Sequence, residues 1–96
     1  MTEQAKKELI KRLKNGDLDG MEEILDKINP NQALTISFLK DLNPKAVDKF
    51  YTLFQEYYKN KGKGNEHYIS LAASFQKRHR EKHKLELEEL YKGAAE

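Results

Sequence analysis

The apolar residues of this chain fall three or four positions apart rather than two, and that spacing restricts it to helices. Ala5, Leu9, Ile10 and Leu13 share one face, with Lys and Glu opposite. Asn15 and Gly16 then supply a left-handed stop, so a first helix is expected over 3–14. Leu18, Met21, Leu25 and Ile28 continue the spacing. Asp19 with Glu22 three residues on reads as a capping box, which predicts a second helix over about 19–28.

Two Asn-Pro doublets come next in the chain, Asn29-Pro30 and Asn43-Pro44. Asn accepts bonds from the free N–H groups of a helix start, and Pro at the first helical position has no N–H to leave unpaired. Helices are therefore expected over 30–42, with Ala33, Leu34, Phe38 and Leu42 as a buried stripe, and over 44–60, with Ala46, Val47, Phe50, Leu53, Phe54 and Tyr57 inward. Lys59 to Asn65, with two glycines and no apolar residue, is the flexible connection, and Asn65 is expected to cap a last helix over 66–91.

That last helix has an apolar stripe at Tyr68, Ile69, Ala72 and Phe75, but Gln76 to Lys84 holds no apolar residue. Nine residues make about 13–14 Å of helix, too long for a gap inside a small core. The helix is therefore expected to project, so that Leu85, Leu87, Leu90 and Tyr91 need a partner chain or fray. The reading is an all-α, single-domain bundle of about five helices over 1–92 with a partly projecting C-terminal helix and a disordered tail at 93–96. Leu, Ile, Val and Phe make 22 of 96 residues, a little above the roughly one-fifth level that a core requires.

Composition excludes several classes of chemistry. With no cysteine there are no disulfides, thiolate metal sites or cysteine nucleophile. The sequence has no glycine-rich phosphate loop and no G-x-S-x-G, and its adjacent acid pairs, Glu22-Glu23 and Glu88-Glu89, point about 100° apart on a helix. A non-enzymatic chain without cofactor is expected. No apolar run approaches the ~18 residues of a membrane span, and the acid-bearing N-terminus does not read as a leader, so a cytoplasmic location is expected.

Four groups of residues carry possible chemistry. The segment Asn15 to Asp26 places oxygen ligands at calcium-loop spacing with Gly20 at the sixth position, but Glu22 and Asp26 fit that pattern poorly. Helix stop and cap roles explain the segment without an ion. His79 and His83 stand one turn apart with Glu86 a further turn along, a ligand spacing crowded by Arg78, Arg80, Lys82 and Lys84, and solvated histidines are the simpler reading. Residues 59–84 carry net charge +6, against −1 for 1–58 and −3 for 85–96. Lys59, Lys61, Lys63, Lys77, Arg78, Arg80, Lys82 and Lys84 are thus the candidate contacts to nucleic acid. Finally, Tyr51 and Tyr58 lie on a strip beside the Phe50–Phe54 face and, with Leu85, Leu87 and Leu90, form the candidate protein interface. The expected function is regulation through protein–protein contact or self-association, with nucleic-acid binding as the alternative.

Overall fold

The structure, a computed structural model, describes residues 2–39 and 42–88 and is all-α. Its helices are α1 (Thr2–Asn15), α2 (Met21–Lys27), α3 (Pro30–Ile36), α4 (Pro44–Asn60) and α5 (Glu66–Lys82), followed by a short α6 over 84–88. The radius of gyration is 13.2 Å, close to the roughly 12–13 Å of a folded chain this long and well short of an unfolded one.

Both Asn-Pro doublets work as caps. The Asn29 side chain accepts from the N–H groups of Asn31 and Gln32, and that of Asn43 from Lys45 and Ala46. Asn43 also closes a second helix, because its own N–H donates to the Leu13 carbonyl at 3.1 Å near the end of α1. Gly16, at φ +75°, lets the chain leave α1 in the left-handed region, with Asn43 Nδ2 close to where a Cβ would stand. The α3–α4 connection is thereby tied to the α1 terminus.

Two expected caps do not form. Gly20, at φ +70°, precedes α2 and offers no side chain; Asp19 instead gives its N–H to Asp17 Oδ1 at 3.1 Å. Asn65 makes no capping bond; its side chain donates to the Gly62 carbonyl while Glu66 accepts from the Gly64 N–H at 3.0 Å.

Helix α3 ends six residues before the expected boundary. Thr35 and Ile36 are weak helix formers, and the Ser37 hydroxyl turns back to the Leu34 carbonyl, competing with helical bonding. Phe38 and Leu39 close a tighter turn onto the Thr35 and Ile36 carbonyls. Phe38, expected in the buried stripe, is consequently half exposed.

The core gathers Leu9 and Leu13 from α1, Met21, Ile24 and Leu25 from α2, Leu34 from α3 and Val47, Phe50 and Phe54 from α4. Helix α5 lies along α4 and covers its second strip as well. Tyr51 and Tyr58, expected at the rim, are therefore buried. The Tyr51 hydroxyl shares a 2.6 Å hydrogen bond with Ser37, and Tyr58 packs against Phe54, Tyr57 and Tyr68 with ring centroids at 4.7, 4.8 and 5.5 Å. Burial, followed by the neighbouring tyrosines and Asp26, pushes the Tyr58 phenol up to about 12.

The polar stretch 76–84 does not project. Through Lys82 it stays on the body as the last two turns of α5, held by hydrogen bonds rather than by apolar contact. The helix then breaks at His83, and α6 brings Leu87 to a buried position while leaving Leu85 78% exposed. Leu90, Tyr91 and the tail at 93–96 lie outside the described residues. No helix among the described residues is long and apolar enough to cross a membrane.

Candidate functional site

A short polar seam positions the end of α5. Gln76 Nε2 donates to the Asp48 carbonyl at 3.1 Å and to Thr52 Oγ1 at 3.0 Å, while its Oε1 accepts from Gln55 at 2.9 Å. One turn on, Arg80 Nε donates to Asp48 Oδ1 at 2.7 Å. Asp48 is buried, so the guanidinium supplies the countercharge that a desolvated carboxylate requires. Between them His79 Nε2 donates to the carbonyl of Pro44, the first residue of α4, at 2.8 Å.

His79 is buried, contrary to the solvated role expected of it, with its ring 5.8 Å from Tyr51 and 4.6 Å from His83. Burial lowers its pKa; the Pro44 hydrogen bond and Asp48 oppose the shift, and His83 and Lys82 add to it. The unfolded chain therefore binds the extra proton more readily than the folded one. The stability this confers is full above the unfolded value near 6.5 and is lost as pH falls through the lower folded value. Replacing His79 with Gln, which retains an N–H donor for Pro44, is expected to flatten the stability loss between about pH 7 and pH 5. Urea unfolding at several pH values checks this; identical slopes for the two chains would contradict it.

With the end of α5 held in this way, a cleft of about 300 Å³ opens between it and the α3–α4 connection. One wall is apolar, built from Phe38, Leu39, Leu42 and Val47; the other carries Arg78, His79, Lys82 and His83. Phe38 is 50% and Leu39 47% exposed, and the Phe38 ring is braced edge-on by Phe75 at 4.7 Å. Their exposure follows from the early end of α3.

The structure divides the basic residues. Lys59 stands in the last turn of α4 and Lys61 and Lys63 in the α4–α5 connection, with Lys61 5.0 Å from the Tyr57 ring centroid. Lys77, Arg78, Lys82 and Lys84 are exposed toward the other end of α5, beyond about 16 Å of helix separating Glu66 from Lys77. Arg80 is drawn into the pair with Asp48. Of the expected protein interface, Tyr51, Tyr58 and Leu87 are buried and Leu85 is exposed.

Neither metal arrangement assembles. No cluster of three metal-ligating side chains occurs among the described residues. His79 Nε2 is engaged by Pro44, and His83 Nδ1 lies 3.4 Å from Glu86 Oε2. In the segment after α1 a guanidinium gathers the oxygens. Arg12 donates to the Asp19 carbonyl, pairs with Asp17 Oδ2 at 3.3 Å and with Glu8 Oε1 at 2.9 Å.

Leu39, Asp48 and Gln76 escaped the sequence reading as members of this site. Leu39 stands beside the expected stripe, and Asp48 is the one acid amid an apolar helix face, a signal that could have marked a buried ion pair. No protein-family model, curated protein or solved structure matches this chain.

Proposed function

We propose that this chain is a non-enzymatic binding protein that acts through protein–protein contact, and that the cleft between the α3–α4 connection and α5 is its contact surface. One observation carries the reading: two large apolar side chains, Phe38 and Leu39, are half exposed side by side over a concave surface. Exposed apolar surface costs free energy in the isolated chain, and a partner that covers it recovers that cost. Phe38 is also braced by Phe75, and a held aromatic ring loses little entropy on binding.

Selection from a random dodecamer peptide library on the immobilised chain tests this, with a Leu39→Asp chain as counter-target. Leu39 is exposed, so the variant is expected to fold, as circular dichroism will verify. Selected peptides are expected to bind the parent chain at least about tenfold more tightly than the variant. Absence of enrichment, or peptides that bind both chains equally, would overturn the reading.

The exposed cations Lys77, Arg78, Lys82 and Lys84 favour a second reading, contact with nucleic acid. It calls for retention on a mixed oligonucleotide at low salt, with log affinity falling linearly in log salt and a shallower slope once Lys77 and Arg78 are neutralised. The division of the basic residues along α5 counts against one continuous phosphate track, which places this reading second.

A further inference from the structure

Resting on the protein-contact reading, we infer that the cleft takes an acidic polypeptide segment bearing one bulky apolar side chain, which seats against Phe38 and Leu39 while neighbouring carboxylates meet Arg78 and Lys82.

The two walls demand both properties of one ligand. Arg78 and Lys82 are exposed on one wall and form no ion pair among the described residues, whereas Arg80 beside them is paired with Asp48. The attraction of cations to a helix C-terminus accounts for Lys82 in the last turn of α5, but not for the apolar wall facing it. The 59–84 region carries net +6, so a basic partner would approach against the field and an acidic one along it. Opposite stand Leu39, Leu42 and Val47, against which a sugar-phosphate chain would lose its water without gaining a hydrogen bond. A cleft of about 300 Å³ is at the low end of ligand cavities, with room for an anchoring side chain rather than a folded domain. Carboxylates set the orientation and on-rate; the anchor supplies the apolar burial.

The test uses the full chain and the dodecamers selected above, sorted by their dependence on Leu39. Those that lose binding to Leu39→Asp are expected to carry net negative charge and at least one aromatic or large aliphatic residue. Their affinity is expected to fall about tenfold on a chain carrying Arg78→Glu and Lys82→Glu, and to weaken on going from about 50 to about 300 mM salt. Both substituted residues are exposed, and amide spectra of the double variant confirm its fold. Leu39-dependent peptides that are neutral or basic, or that bind the double variant undiminished, overturn this inference and leave the protein-contact reading standing. Peptides indifferent to Leu39 overturn both. An oligonucleotide that displaces the selected peptides from the cleft also overturns it and favours the nucleic-acid reading.

Discussion

Replacing Phe54 with Ala lowers the unfolding free energy by about 3–5 kcal/mol. The ring is fully buried in the middle of α4, 6.0 Å from Phe50 and 4.7 Å from Tyr58 by centroid, so truncation removes transfer free energy and leaves a hole walled by other rings. Those rings belong to a helix packed on both α2 and α5, which restricts the collapse that would refill the space. A domain of this length is stable by roughly 5–14 kcal/mol, so the loss is a large share of the total. The midpoint of thermal unfolding is expected to drop by well over about 10 °C, measured by calorimetry. A drop of only a few degrees would mean that α4 is not the centre of the core.

Arg80→Ala is expected to cost about 1–3 kcal/mol, a large effect for a residue so exposed. The reason lies with its partner: Asp48 is almost wholly buried, and removing the guanidinium takes away a charge-assisted pair that offsets the desolvation of its carboxylate. Arg80 is itself 57% exposed, so the pair is worth less than a fully buried one. The effect is asymmetric. Asp48→Asn combined with Arg80→Ala removes the buried charge itself and is expected to recover part of the loss, whereas two independent changes would add. A double-mutant cycle read by urea unfolding measures the difference; simple additivity would contradict the pairing.

Local cap chemistry was legible in the sequence. Each Asn-Pro doublet marks a helix start within its own five residues, and α4 runs from Pro44 to Asn60 as its spacing predicts. Where a competing local bond intervened, the pattern misled: Ser37 ends α3 early, turns Phe38 outward and, through its bond to Tyr51, helps bury a tyrosine expected at the surface. The polar stretch in α5 was misread for a different reason. Periodicity detects apolar faces, but Gln76, His79 and Arg80 are bound by Asp48, Thr52 and Pro44, partners 24 to 35 residues away that no local pattern reveals. The cleft is legible only after that seam is known, since one of its walls is the stretch of helix that the seam holds in place.

Amide hydrogen exchange resolved by residue tests the docking of this helix end most directly. The account predicts that the amides of Gln76, His79 and Arg80 exchange slowly and within about tenfold of the mid-helix amides of α4, because the seam must open before they do. Exchange of those three at rates near those of an unstructured peptide, while Phe50 and Phe54 stay protected, would show that the end of α5 leaves the body and that the cleft has no second wall.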